Sequence, residues 1–365
     1  MASAVGMSQL LVGRALAGLG VGLSSCVTNM YIAELSPAAV RGQLGAWAPM
    51  MGQLGILMAF AVPSAFAPLG ESALRAMLGL VAVPAGTVLA LRGRLPETPA
   101  WLVAEGRSED ALAALRRLFP NVSERALHAE VRALVEGDRA SAGSTEGFCS
   151  FVWKHARALR AGVALNVLQQ VTGVNVILYF GPEVLTLAGF TDTQAVMCLA
   201  ATNAGLIAVV YCFSVVIDAW GRRFVAIVGS LGTMMGLAIL AVGFFSRAQG
   251  WHIHAGVWSL FGIFWFRAVY AFSLAPLPYI MTVELLPQEV RAIGAGLSWT
   301  INWTCNVLVC QTFPMLQAAL TVPLGADMAA SVLFVGYFVC TAAALCVVFA
   351  VLPETAGARL GAVKA

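Results

Sequence analysis

Glu34-Leu-Ser-Pro37-Ala-Ala-Val-Arg41 and Glu284-Leu-Leu-Pro287-Gln-Glu-Val-Arg291 are one motif written twice. Each has a glutamate, a proline three residues on and an arginine seven on. Two apolar stretches later each is followed by Pro-Glu-Thr, at Pro96-Glu97-Thr98 and at Pro353-Glu354-Thr355. Four landmarks repeated in order mark an internal duplication.

The chain between these landmarks is apolar. Of 365 residues, 60% are hydrophobic and only 11% charged, and the mean hydropathy is +0.85. A soluble domain carries roughly 25% charge. The composition therefore specifies an integral, multi-pass membrane protein, and excludes a secreted disulfide scaffold, a nucleic-acid partner and a disordered chain. A plasma membrane and an internal membrane both fit this composition.

At ~20 apolar residues per membrane helix, nine spans are expected, at 8–33, 44–66, 74–92, 161–187, 194–217, 224–245, 255–283, 292–316 and 329–352. The duplication pairs the first three with the last three. Spans four to six then call for partners ahead of Met1, so the reading is an all-α fold of twelve helices of which this chain is a fragment with nine. The expected divisions are a partial N-terminal bundle over 1–92, a cytoplasmic linker with short helices over 93–160, a six-helix bundle over 161–352 and a tail over 353–365.

Charge sets the orientation. Seventeen of the 21 Lys and Arg fall on one set of loops, including the linker and the tail, which makes that side cytoplasmic. Arg14, Arg75 and Arg247 lie opposite, and Arg267 falls inside a span. In the linker, Ser108-Glu109-Asp110 reads as the capped start of a helix running to Leu118, with Leu112, Leu115 and Phe119 on its apolar stripe. Asn121-Val-Ser123 and Asn302-Trp-Thr304 match the glycosylation sequon, but one is cytoplasmic and the other intramembrane. Seven of the eight cysteines sit in spans and read as small packing residues. His252 and His254 read as interfacial rather than as metal ligands.

The fourth span carries Asn166, Gln169, Gln170 and Asn175, four amides that are costly in hydrocarbon unless partnered or facing a wet cavity. The first three share a helical face. Asn175 joins them only if Gly173 breaks the helix; Gly181-Pro182 can end it again. The eighth span adds Asn302, Trp303 and Asn306, and the seventh adds Pro276-Leu-Pro278-Tyr279, a second interruption. Amides donate and accept without net charge, which suits a neutral, hydroxyl-rich ligand, and Trp303 and Tyr279 can pack on its C–H faces. No catalytic constellation stands in a plausible context, so neither an enzyme, a metal nor a cofactor is expected. Gly18-Leu-Gly20-Val-Gly22 lies inside a span and reads as a surface for close helix packing.

With these residues assembled, the chain resembles the sugar porters of the major facilitator superfamily. The landmarks are Gly13-Arg14, Glu34 to Arg41-Gly42, Pro96-Glu97-Thr98, Gln169-Gln170 through Asn175, Asp218-Ala-Trp-Gly221-Arg222-Arg223, Pro276 to Arg291, Asn302-Trp303 with Asn306, and Pro353-Glu354-Thr355. The resemblance implies passive or proton-coupled transport of a hexose or related monosaccharide by alternating access, with a polyol or inositol carrier, a non-transporting sugar sensor and an inactive fragment as alternatives. It implies sugar contacts at Gln169, Gln170, Asn175, Asn302 and Trp303, with Asn166, Tyr279 and Asn306 beside them, and an outer gate at Tyr179 and Phe180. It implies a cytoplasmic charge network of Glu34, Arg41, Glu97, Asp218, Arg222, Arg223, Glu284, Arg291 and Glu354, whose opposite charges pair across the seam between halves. The partners implied are the sugar, protons and the bilayer. The chain departs from the pattern at Pro49, where a sugar-binding glutamine is usual, and at Ala271, where an acid is frequent. Arg267 is unusual in mid-span and calls for a partner, for which Glu183 is the candidate.

Overall fold

The computed structural model describes residues 1–36, 41–45, 47–141, 156–251, 255–286 and 288–353. Their regular structure is helical: α1 Met7–Leu35, α2 Arg41–Gly45, α3 Trp47–Phe66, α4 Ala73–Leu80, α5 Ala82–Leu91, α6 Pro99–Ala104, α7 Ser108–Leu118, α8 Glu124–Ser141, α9 Ala156–Val171, α10 Val174–Tyr179, α11 Gly181–Leu187, α12 Asp192–Trp220, α13 Arg222–Ala248, α14 Ala255–Phe272, α15 Leu277–Leu285, α16 Gln288–Leu324 and α17 Ala326–Val351. Among the described residues eight helical stretches are long and apolar enough to cross a bilayer. The expected fourth span is not among them, because it is broken into α9, α10 and α11. Gly173 sits at φ 74°, in the left-handed region that glycine enters at least cost. Pro182 then occupies the first turn of α11, where its missing N–H costs no bond.

The core belongs to the second half. Leu165, Leu168, Ile177, Phe213, Phe244 and Phe266 anchor one buried cluster spread over α9 to α14. Close approach of α13 and α14 depends on glycine: a Cβ at Gly236 would lie 2.8 Å from Phe266 Cα. One turn away, the Trp265 indole donates to Gly232 O at 3.0 Å. The first half meets the second through α3 against α12 and through α1 against α15 and α16.

Gly18, Gly20 and Gly22 depart from expectation. A Cβ built on any of them meets no atom within 4 Å, so no described helix packs closely there. Small size is legible in sequence; what a small face borders is not.

On the side assigned as cytoplasmic, α6, α7 and α8 enclose a second core of Leu102, Val103, Leu112, Leu115, Leu127 and Val131. Thr98 caps α6 by accepting from Trp101 N, with Pro99 in the first turn. The expected stripe of α7 is buried at Leu112 and Leu115 and partly buried at Phe119. Ser108, expected as its cap, is instead its first helical residue, and Arg107 holds the cap position, its Nε donating to Asp110 at 2.8 Å.

Candidate functional site

Proline chemistry opens the site. In an unbroken helix the carbonyl of Leu274 would accept from the N–H of residue 278, but Pro278 has none. The chain turns between α14 and α15, and the freed carbonyls of Leu274 and Ala275 accept from Gln169 Nε2 at 3.0 and 3.2 Å. Irregular backbone at this depth persists where such partners exist.

From that anchor the amides run head to tail. Asn302 Nδ2 donates to Gln169 Oε1 at 2.8 Å, Gln170 Nε2 donates to Asn302 Oδ1 at 2.9 Å, and Asn175 Nδ2 donates to Gln170 Oε1 at 2.5 Å. All four are buried. The left-handed turn at Gly173 carries Asn175 back to Gln170, which an unbroken helix would not do. Tyr337 closes over that turn, and a Cβ at Gly173 would meet its ring at 2.9 Å.

Asn166 lies outside this chain of amides. Its Nδ2 donates to Thr282 Oγ1 and to Gly162 O, both at 2.9 Å, and the side chain is fully buried between α9 and α15. Asn306 takes a weak bond from Cys310 at 3.7 Å and faces the Tyr179 hydroxyl. Phe180 packs on Phe313 with ring centroids 5.2 Å apart. Tyr179 is largely exposed.

A cavity of about 850 Å³ opens between α1 and α16, lined by Arg14, Gly18, Gly22, Trp299, Thr300 and Trp303 among others, and none of the four amides lines it. Trp303 borders it. Trp299, one turn earlier, was not anticipated: it packs on Tyr279 at 4.4 Å between centroids, and its buried Nε1 has no hydrogen-bond partner. The Trp299/Trp303 spacing of four residues was the signal available.

At the helix ends on the side assigned as cytoplasmic, Arg291 Nη1 approaches Glu34 Oε1 at 3.8 Å, joining one half to the other, while its Nε donates to Val283 O. Arg222 Nη2 donates to Glu284 Oε1 at 3.1 Å within the second half, both nearly fully buried. Arg223 donates to Phe349 O and lies over the Phe349 ring. Tyr31 binds Pro96 O at 2.7 Å, tying α1 to the Pro-Glu-Thr turn, where Glu97 is exposed. The side chains of Arg41 and Asp218, the whole of Glu354, and His252 and His254 lie outside the described residues.

Arg267 has a different partner from the one expected. Its Nη2 donates to Asn203 Oδ1 at 2.5 Å, whereas Glu183 is exposed on α11. Asn203, buried on α12, carries no motif that sequence could have flagged.

Comparison with known proteins places this geometry. A family model described as "Sugar (and other) transporter" matches residues 1–365. The D-xylose-proton symporter of Escherichia coli (strain K12) is 29% identical over 316 residues, covering 85% of this chain and 62% of that protein. The arabinose-proton symporter of the same strain is 32% identical, over 86% of this chain and 66% of its own length. The chain thus spans less than two thirds of either. Among solved structures, the major facilitator proton:xylose symporter XylE bound to 6-bromo-6-deoxy-D-glucose matches with TM-score 0.84 and 25% identity, over 96% of this chain and 72% of that one. The inward-open form of the xylose transporter matches over the same 96% of this chain and 71% of that one, at 25% identity, with TM-score only 0.66. Near-equal coverage with unequal fit places the overall arrangement closer to the sugar-analogue-bound form.

Proposed function

The chain belongs to the sugar (and other) transporter family, and from that premise we propose that it takes part in carrying a monosaccharide across a membrane by alternating access. The fold is that of the major facilitator superfamily, embedded in the bilayer as a multi-pass protein.

The observation that carries the proposal is the one-way run of donors from Asn175 through Gln170, Asn302 and Gln169 to the Leu274 carbonyl. A hydroxyl is both donor and acceptor. It can enter any link of this run, receiving from one amide and giving to the next, and leave every polar group satisfied. A group that only accepts would orphan the next amide oxygen. The unpaired Trp299 N–H beside the cavity supplies one further donor for a ring or hydroxyl oxygen. Gln169, Gln170, Asn175, Asn302 and Trp303 then hold the sugar, Asn166 serves the α9–α15 packing, and Tyr179 and Phe180 close the outer end.

Transport needs the two halves to rock. In the arrangement described here the Arg291–Glu34 contact ties the cytoplasmic ends together, and release of sugar to that side requires it to part. Proton coupling is supported by the two relatives named as proton symporters.

The test is sugar binding by the purified protein, read from quenching of tryptophan fluorescence, with counterflow in proteoliposomes. Gln169→Ala and Asn302→Ala each weaken binding by about tenfold, the scale of one buried hydrogen bond whose partner is left unpaired. Trp299→Phe, which keeps the ring and removes the N–H, weakens it by about threefold to tenfold. Undiminished binding in the Gln169/Asn302 double variant would sink the assignment.

A further inference from the structure

Arg267 is a cation that the sugar reading leaves unexplained. It lies in the membrane-crossing stretch Gly256–Leu285 and is only 5% exposed. Asn203 takes one of its N–H groups, Nη1 has no hydrogen-bond partner, and among the described residues no carboxylate pairs with it. A guanidinium held at this depth by one neutral amide is costly, and an intramembrane ion of this kind marks a ligand path unless it is paired.

Two neighbours complete the place. Met50 of α3 packs against Leu206, Val210 and Ala271, and α3 runs opposite in direction to α12 and α14. Counting one turn outward from that contact along each helix gives Gln53, Asn203 and Arg267. Gln53 Oε1 is also buried and unpaired. A side-chain amide can present either its oxygen or its NH₂ at one position, so Gln53 can donate there. In the other direction along α14, one turn from Arg267, Tyr270 meets Gln169 at the head of the amide run.

We propose that Arg267, with Asn203 and Gln53, seats a carboxylate, so that the monosaccharide taken by this protein is a sugar acid. Its hydroxyls enter the amide run, which favours groups that both give and accept, and its carboxylate meets the guanidinium, which the amide run cannot serve. A neutral hydroxyl at Arg267 would satisfy the N–H and leave the charge uncompensated; a carboxylate satisfies both. Because Gln53 belongs to one half and Arg267 to the other, rocking loosens the carboxylate's seat on each cycle. This inference rests on the transport reading above.

The experiment compares matched pairs that differ only in oxidation at C6: D-glucose with D-glucuronate, and D-galactose with D-galacturonate. Binding to the purified chain is read by tryptophan fluorescence, with and without added chloride. The acid of at least one pair binds about tenfold or more tighter than its neutral partner, the scale of one charge-assisted hydrogen bond. Arg267→Gln brings that ratio to about one. Gln53→Glu, which plants a carboxylate beside the guanidinium without removing it, does the same and covers the case in which Arg267→Gln fails to fold. Equal or tighter binding of both neutral sugars overturns the inference and leaves the transport reading standing. Survival of the preference in Gln53→Glu, or displacement of the acid by chloride at matched concentration, overturns it too. Failure of all four sugars to bind overturns both.

Discussion

Glu34 and Glu284 occupy equivalent places in the two halves of the duplication, yet their surroundings differ. Glu284 lies in a buried pair with Arg222 at 3.1 Å, while Glu34 is less buried and meets Arg291 at 3.8 Å. The helices behind them differ more. None of the most apolar window of Met7–Leu35 is buried, against 61% of that in Gly256–Leu285. The second half packs α13 against α14 and α17 around its own core. The first half holds to the rest through α3 on α12 and α1 on α15 and α16. The motif therefore fixes where helices end, and the neighbours fix how much each contributes to stability.

The sharpest way to break this contrast is one methyl group placed in each half. Gly236→Ala drives a Cβ to 2.8 Å from the Phe266 backbone; overpacking of this kind costs about 1–3 kcal/mol. Gly55→Ala in α3 meets nothing within 4 Å, and relief of glycine's backbone entropy stabilises by roughly 0.5–1 kcal/mol. Thermal unfolding in detergent should move in opposite directions for the two. Gly173→Ala comes next, at about 1–2 kcal/mol for a left-handed residue with a Cβ. It also unseats Asn175, so sugar binding falls along with the melting temperature.

Glu34→Gln removes the tie between halves and leaves Arg291 one partner fewer. A cost of about 1 kcal/mol is expected for so long a pair. Hydrogen exchange should speed near residues 30–35 and 283–286 and stay unchanged in α13. The smallest effect is on the linker. Arg116 donates twice to Glu124 at 2.8 Å and holds that carboxyl below its ordinary range. A carboxyl so lowered stabilises the fold fully above its unfolded value, about 4.3, and the contribution is lost as pH falls through the lower folded value. Exchange in α7 and α8 should rise slightly below pH 4 at low salt, and Glu124→Gln should flatten that dependence.

Sequence reading succeeded where a residue type has one local consequence. Gly173 beside four amides announced a break, and Pro276-Leu-Pro278 announced a second interruption, though not that Gln169 would serve its carbonyls. The apolar stripe of α7 was plain from its spacing. It fell short where the partner lies far along the chain. Asn203 sits 64 residues from Arg267, and nothing in either neighbourhood names the other, so Glu183 was the nearer guess. Trp299 looked like any aromatic in a span until its N–H was found unpaired beside the cavity. The glycines of α1 were legible as small, but closeness belongs to two helices, and sequence describes one at a time.

Arg267 also has an electrical consequence. A unit charge crossing the full membrane potential changes energy by about 2.3 kcal/mol per 100 mV. With the guanidinium fixed at mid-depth in α14, any shift of that helix along the membrane normal moves charge through part of this field. On the transport reading proposed above, an unloaded carrier would then be biased by voltage toward one orientation. A bound carboxylate travelling with Arg267 would cancel the moving charge, so the loaded carrier would reorient almost without regard to the potential.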